Sequence, residues 1–243
     1  MLDFLNTLIL TIIKRPYVVA FLFGYVFLGL RLFNLKWLLN FLIVGYIIAF
    51  VSEYASIHTG FPYGWYFYIY ANLLGEWLNN GVPVWDSVSY VFMSFAGLGV
   101  AKTVLDNWNV SNRLSLVYGA AFFTTLLDII VDPVTHLGAQ WFLGEIYYYP
   151  FPGYYFDIPL SNFAGWFLVS FIITAFGVYG LKFDQKIKWT PVNQKLILAL
   201  YFGIFLFGMS IAALIGQISI LLADSAWLAL VLTLIFFKRK RTD

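Results

Sequence analysis

Residues 114–132 read LSLVYGAAFFTTLLDIIVD, a run of apolar and small side chains that carries no charge until Asp128. A helix of about 20 such residues crosses the hydrocarbon core of a bilayer. Its two carboxylates, Asp128 and Asp132, lie within the last turns of the run and not beyond it. The segment therefore predicts a membrane-spanning helix that places acidic groups inside the membrane.

Six further apolar runs accompany this one. Hydrophobic residues make up 62% of the chain and charged residues 11%, against about 45–50% and about 25% in soluble domains. The sequence contains no Cys, which excludes disulfides, thiolate metal sites and Cys nucleophiles. We expect an all-α polytopic helix bundle that forms a single membrane domain over residues 1–243. Its roughly seven spans are expected at 17–33, 37–57, 84–105, 114–132, 160–181, 193–215 and 218–237.

The Lys and Arg residues predict an orientation, because cytoplasmic loops are enriched in them. They follow the odd-numbered spans and are absent from the connections after the second, fourth and sixth. We therefore expect a cell-membrane protein with its N-terminus outside, its C-terminus in the cytoplasm, and the basic stretch at 238–241 as an anchor. Lys14 and Arg15 disagree with this orientation. Either residues 2–13 form a short interfacial helix, or the first span begins elsewhere.

Two connections on the predicted outer side, 58–83 and 135–159, are long and rich in aromatic residues, Gly and Pro. The first contains FPYGWYFY at 61–68, and the second contains YYYPFPGYYF at 147–156. We expect them to lie in the membrane interface as lids. For most of these rings, the simpler interpretation is an interfacial aromatic belt.

Carboxylates inside spanning segments are costly and are therefore candidates for function. Glu53 ends the second span, Asp86 opens the third, Asp128 and Asp132 end the fourth, and Asn162 opens the fifth. Under the predicted orientation all five lie at one depth, in the outer half of the membrane. Hydropathy and loop charge thus predict one polar cluster built from four helices.

Asp128 and Asp132 are four residues apart, so they share one helix face. Two carboxyls in a poorly hydrated site do not easily both ionise, so we expect one of them to keep its proton. A protonated acid beside a carboxylate serves acid–base catalysis. The alternative is that these groups pair with His, Asn or Tyr side chains and only fix helix packing. His136 would continue this face, although Pro133 is expected to disturb the helix.

Other polar and small residues in the apolar runs have simpler interpretations. Asp86 fits a helix N-cap as well as it fits a functional group. Four further acids are expected to be solvated or interfacial: Glu76, Glu145, Asp157 and Asp224. Gly97 and Gly99 lie inside a span, where small residues let helices approach closely. The two His residues lack metal-ligand spacing, so we expect no metal site and no cofactor.

Four short blocks together resemble a known family. They are Glu53 with TGFPYGWYFY at 59–68, GVP at 81–83, Asp128-x3-Asp132-Pro133 with Gly138 and Trp141, and IPLSNFAGW at 158–166. In this order they are similar to the CruF-type carotenoid biosynthesis family. That family includes the archaeal bisanhydrobacterioruberin hydratases and the bacterial carotenoid 1,2-hydratases. The resemblance covers residues 45–180.

The resemblance implies a hydro-lyase that adds water across the terminal C=C of an acyclic carotenoid end group and forms a tertiary alcohol, without a cofactor. The expected partners are a long polyene, water and the lipid bilayer, but no nucleic acid. We expect Asp128, Asp132 and Glu53 to supply acid and base. Eight residues are expected to position the substrate or the water: Asn162, Thr59, Asp86, His58, His136, Tyr66, Trp141 and Trp166.

Rival functions make different demands on the sequence. A proton-coupled transporter or channel also uses buried carboxylates, but these acids cluster away from the midplane and no inverted repeat is visible. A retinal protein needs a Schiff-base Lys in the seventh span, and 218–237 has none. A prenyl transferase needs cations for a diphosphate, and we expect none on the outer side. The transporter remains the alternative to the hydratase.

Overall fold

The structure is a computed structural model that describes residues 2–237. The basic stretch 238–241, predicted to be an anchor, lies outside the described residues. Within the described range the chain is an all-α polytopic bundle, as predicted. Its helices are α1 (Leu2–Lys14), α2 (Pro16–Leu32), α3 (Leu35–Thr59), α4 (Val84–Asn107), α5 (Arg113–His136), α6 (Leu160–Ala175), α7 (Phe183–Lys186), α8 (Pro191–Leu214) and α9 (Ile218–Phe236).

Six helical segments of the described chain are long and apolar enough to cross a membrane, and α1 with α2 adds a seventh span if the pair counts as one. The seven predicted spans therefore correspond to helices within a few residues at each end. α6 continues through a π-helical turn at Phe176–Gly180, so its span ends at Gly180. The protein is thus a multi-pass membrane protein.

The start of the chain is sharply bent. α1 and α2 meet at 96°, because Arg15 precedes Pro16 and a residue before proline is driven out of the helical region. Arg15 has φ −123° and ψ 48°, and α2 begins with Pro16 at its first position, where no N–H is needed. A separate helix at the N-terminus is therefore confirmed.

Local signals in the sequence fix several other helix ends. The Asn34 side chain accepts a hydrogen bond from Trp37 N at 2.9 Å and caps α3, and Asn112 caps α5 in the same way. Gly60, with φ +78°, ends α3 in the left-handed conformation that glycine adopts without strain. Pro133 does not end α5, which runs on to His136, although proline lacks the N–H that would bond to the carbonyl four residues earlier.

α4 is the central helix and packs against α2, α3, α5, α6, α8 and α9. Gly97 permits its close contact with α5, since a Cβ at that position would lie 2.8 Å from the Ala120 carbonyl oxygen. The two aromatic connections meet above this bundle. We name them lid 1 (residues 60–83) and lid 2 (residues 137–159).

The lids are joined by short strands. β1 (Phe67–Tyr68) of lid 1 pairs antiparallel with β4 (Tyr147–Tyr148) of lid 2, while β2 (Leu78–Asn79) and β3 (Val82–Pro83) form a hairpin within lid 1. Both lids therefore sit at one end of the bundle. Basic residues gather at the other end, where Arg31 donates to Asn193 Oδ1 at 2.6 Å and Arg113 donates to Asp184 Oδ2 at 2.9 Å.

Candidate active site

A cavity lies under the two lids, at the end of the bundle where α2, α4 and α6 begin and α3 and α5 end. The atom-free space in it, including its open mouth, is about 940 Å³. The structure brings all five residues of the predicted polar cluster into its wall, with two of the predicted aromatic residues: Glu53, Asp86, Asp128, Asp132, Asn162, Tyr66 and Trp166.

Asn162 joins the two carboxylates of α5. Its Nδ2 lies 3.0 Å from Asp128 Oδ2 and 3.0 Å from Asp132 Oδ2. The spacing of four residues places both acids on one face of α5, and Asn162 lies in the first turn of α6, three residues after the Pro159 N-cap. All three side chains are buried. One amide group therefore bridges the pair and holds both acids at a common point.

Two tyrosines of lid 2 complete the surroundings of Asp132. Tyr147 donates to Asp132 Oδ1, and Tyr149 donates to Asp132 Oδ2 at 3.0 Å. Alternation along an extended segment points residues 147 and 149 inward and leaves Tyr148 outside. Burial, and then the Asp132 charge, raises the pKa of both hydroxyls well above the usual tyrosine value, so they remain hydrogen-bond donors.

The two acids of α5 therefore differ. Asp132 receives hydrogen bonds from Tyr147, Tyr149 and Asn162, whereas among the described residues Asp128 receives one, from Asn162. Three donors match an ionised carboxylate, which only accepts. Asp128 keeps an oxygen that no described side chain binds, and it lines the cavity.

A second pair of acids comes from α3 and α4. Ser87 donates to Glu53 Oε2 at 2.5 Å, and Glu53 is close enough to Asp86 for their charges to interact. The N-cap of α4 is Pro83, so the alternative role of Asp86 as an N-cap is wrong. Asp86 lies in the first helical turn and faces the cavity instead.

Arg15 is the only Lys or Arg in the described cavity wall, and the sequence interpretation missed it. Its Nε lies 3.0 Å from Glu76 Oε2, and both side chains are 2% exposed. Glu76, expected to be solvated or interfacial, is therefore not solvated, because the bend before Pro16 turns Arg15 inward to meet it. The expectation that no Lys or Arg lies at the end of the bundle that holds the acids is also wrong. Arg15 is nevertheless neutralised by Glu76 and by Asp86, 3.7 Å away, so it offers little charge to a diphosphate.

Aromatic rings form another wall of the cavity. Tyr90 stacks on Trp166 with ring centroids 3.6 Å apart, and Tyr63 lies 6.0 Å from Tyr90. The Tyr63 hydroxyl is 2.7 Å from Ser52 Oγ. Burial, followed by the nearby Glu53 charge, raises the pKa of Tyr63 and Tyr66 well above the usual value. These rings are neutral, and their π faces attract cations.

The remaining wall is apolar. It is made by side chains from α2, α4, α5, α8 and lid 2: Val18, Phe21, Phe92, Met93, Val131, Ile146, Ile204 and Phe207. One cavity thus combines an acidic polar end with aromatic and aliphatic surfaces, which suits a hydrocarbon chain that carries its reactive group at its end.

Four residues predicted to position the substrate or the water lie outside the cavity wall. His58 and Thr59 are exposed at the end of α3 and bind the carbonyl oxygens of Tyr54 and Ala55, both at 2.7 Å. Trp141 donates to Val134 O at 2.7 Å and packs beside the cavity residue Phe207. The His136 ring lies 5.7 Å from that of Tyr149. Trp141 and His136 thus pack against residues that line the cavity without lining it themselves.

Asp224, expected to be solvated or interfacial, is not solvated. It is fully buried in α9, and neither carboxylate oxygen has a hydrogen-bond partner among the described residues. Glu145 and Asp157 are exposed, as expected. Tyr63, Tyr68, Tyr90, Tyr147 and Tyr149, which also line the cavity, were not singled out. The alternation of Tyr66 with Tyr68 and of Tyr147 with Tyr149 indicates three of these tyrosines, namely Tyr68, Tyr147 and Tyr149.

No group of three or more potential metal ligands occurs within residues 2–237. In comparison with known proteins, a family model described as carotenoid biosynthesis protein matches residues 9–236. No curated protein and no solved structure matches the chain.

Proposed function

The chain belongs to the carotenoid biosynthesis protein family, and on that premise we propose that it is a hydratase. It adds water across the terminal C=C of an acyclic carotenoid end group and forms a tertiary alcohol. Membership of the family gives it a role in carotenoid biosynthesis, and its apolar helices fit a lipophilic carotenoid substrate within a membrane.

The observation that carries the proposal is the unequal pair Asp128 and Asp132. Hydration of a trisubstituted alkene begins with protonation of carbon, which requires a positioned acid. Asp132, with three donors, is satisfied as an anion, whereas Asp128 has one donor and a free oxygen at the cavity. Two adjacent carboxyls in a dry site share one proton more readily than they both ionise. Asp128 is therefore the acid. The negative charge of the neighbouring Asp132 keeps Asp128 protonated.

Protonation of the terminal double bond leaves a tertiary cation, which needs electron-rich surroundings. The stacked Tyr90 and Trp166 and the nearby Tyr63 supply π faces in the same cavity. These tyrosines stay neutral, so they stabilise the cation without capturing it as a phenolate would. The apolar wall formed by α2, α4 and α8 accommodates the adjoining polyene.

A water molecule then attacks the tertiary carbon, and a base must take its proton. Glu53 is buried at 5% exposure, lines the cavity and accepts only from Ser87 among the described side chains. It is therefore the base. The proton lost by Asp128 forms the new C–H bond, the water oxygen forms the new C–O bond, and the proton lost by water goes to Glu53. A proton transfer from Glu53 to Asp128 then restores the starting state. The sum is one water added per double bond.

Expression in a host that makes acyclic carotenoids tests this function directly. We expect each modified end of the pigment to gain the mass of one water, as measured by mass spectrometry of the extracted carotenoids. Lys14→Met serves as a control, because among the described residues Lys14 donates only to the Leu74 carbonyl. Unchanged pigments in every acyclic background, with the protein present in the membrane, would contradict the proposal.

A further inference from the structure

The guanidinium group of Arg15 is incompletely paired. Nε binds Glu76 at 3.0 Å, and Nη1 lies 3.4 Å from the Tyr17 hydroxyl and 3.7 Å from Asp86 Oδ1. Nη2 is buried and has no hydrogen-bond partner among the described residues. A buried donor without a partner lowers the stability of the folded protein, and a bound water or ligand commonly accepts its hydrogen bond.

The cavity is the available source of that partner. Arg15, Tyr17 and Asp86 all line it, and the Arg15 side chain is 2% exposed. Four carboxyl-bearing residues face the same space, Glu53, Asp86, Asp128 and Asp132, against the single cation of Arg15. This excess of acidic groups disfavours an anion. The remaining candidate partner for Arg15 is a neutral oxygen atom that accepts a hydrogen bond, in either water or an alcohol.

We propose that Arg15 holds the oxygen atom that is added in the reaction. It binds the incoming water through Nη2 and then the hydroxyl group of the product. This inference rests on the proposed hydration, in which that oxygen bonds to the tertiary carbon and loses one proton to Glu53. Ser87, which donates to Glu53, directly follows Asp86 in α4, and Glu53 and Asp86 both line the cavity. The base and the Arg15 cluster therefore border the same part of the cavity.

Arg15→Lys is the first test variant, because it keeps the charge opposite Glu76 but removes the guanidinium fork. The second variant, Arg15→Met with Glu76→Gln, removes both charges of the buried ion pair. Only Asp86, whose side chain is 24% exposed, then loses its cation. Lys14→Met is the control for a lost cation at the bend. Folding is checked by circular dichroism and gel filtration of the purified full-length protein.

Binding is measured by quenching of tryptophan fluorescence with two ligands, an acyclic carotenoid hydrocarbon and the alcohol formed by adding water to one of its ends. We expect the variants to bind the hydrocarbon like the wild type and to bind the alcohol about tenfold more weakly, as expected for a lost charge-assisted hydrogen bond. In turnover, kcat falls by about tenfold or more while KM for the hydrocarbon is unchanged. Lys14→Met changes neither quantity.

Equal weakening of both ligands in a folded variant, or no weakening of either, would overturn the proposal. So would failure of both variants to fold, because Arg15 would then serve the structure alone. If the wild type hydrates no carotenoid, hydration itself is refuted. Selective loss of alcohol binding in Arg15→Lys would still support a subsite for a neutral oxygen.

Discussion

The side-chain amide of Asn162 donates to Asp128 Oδ2 across the α5–α6 interface at a distance of 3.0 Å. Because the same nitrogen also donates to Asp132, the position of one acid depends on the other. The bond occupies one oxygen of Asp128 and leaves the second at the cavity. The geometry of the acid pair is thus set by a residue from another helix.

Loss of this amide should therefore impair catalysis more than folding. We expect Asn162→Ala to lower kcat by about 100-fold, the usual cost of removing one preorganised donor, with a small change in thermal stability. Asn193→Ala is the matched control. Asn193 is equally buried but binds Arg31 and the Lys188 carbonyl at the other end of the bundle. For Asn193→Ala we expect a lower melting temperature but unchanged activity. Equal activity losses in the two variants would refute the role of Asn162.

The strand β4 offers a control within two adjacent residues. Tyr147 donates to Asp132, whereas Tyr148 is exposed on the other side of the strand. Tyr147→Phe should reduce turnover by about 10- to 100-fold, because a hydrogen bond to a charged group is lost and Asp132 then competes with Asp128 for the proton. Tyr148→Phe should leave turnover per folded molecule unchanged. Similar rates for both variants would show that lid 2 does not tune the acid pair.

The buried tyrosines also predict how stability depends on pH. Burial raises the pKa of Tyr147 and Tyr149 above the ordinary tyrosine value of about 10. In the unfolded chain these hydroxyls ionise near that ordinary value, while in the folded protein they stay protonated. Their contribution is thus complete below about pH 10 and is lost as the pH rises towards the folded-state pKa.

Thermal unfolding in detergent, followed across the alkaline range, measures this effect. The melting temperature should fall more steeply with pH above about 10 in the wild type than in the double variant Tyr147→Phe, Tyr149→Phe. Parallel pH profiles for the two proteins would mean that these hydroxyls titrate alike in the folded and unfolded states.

The stack of Tyr90 on Trp166 predicts the effect of removing a π face. Trp166→Leu should slow turnover by up to about 30-fold, corresponding to a cation–π interaction of about 2 kcal/mol in a desolvated site, while Trp166→Phe should retain most of the rate. Trp65→Leu is the control, since Trp65 lies in lid 1 outside the cavity wall. A Trp166→Phe variant as slow as Trp166→Leu would indicate that ring shape, and not π electrons, matters there.

The sequence predicts the spans, because hydropathy locates the helices. It also predicts that four residues meet, because loop charges indicate which helix ends lie on the same side of the membrane. These residues are Glu53, Asp128, Asp132 and Asn162. The Arg15–Glu76 pair was not. Local reasoning treats a Lys-Arg pair before a proline as a surface feature, and only the 96° bend between α1 and α2 turns Arg15 inward.

The lids show the same limit. Each connection was recognisably aromatic, but the pairing of Tyr68 with Tyr147 joins segments that are far apart in sequence, and such pairing is not encoded by either segment alone. Asp224 was misjudged for a related reason. Its burial in α9 depends on packing with the rest of the protein, which hydropathy does not describe.

Hydration by an enzymic acid makes a direct isotopic prediction. Purified protein incubated with an acyclic carotenoid in deuterium oxide enriched in heavy oxygen should yield an alcohol whose hydroxyl oxygen comes from the solvent. The product should also carry one non-exchangeable deuterium on the neighbouring carbon, delivered by Asp128, and Asp128→Asn should form none of it. A modified carotenoid that contains neither label, or labelled alcohol formed equally well by Asp128→Asn, would contradict the account.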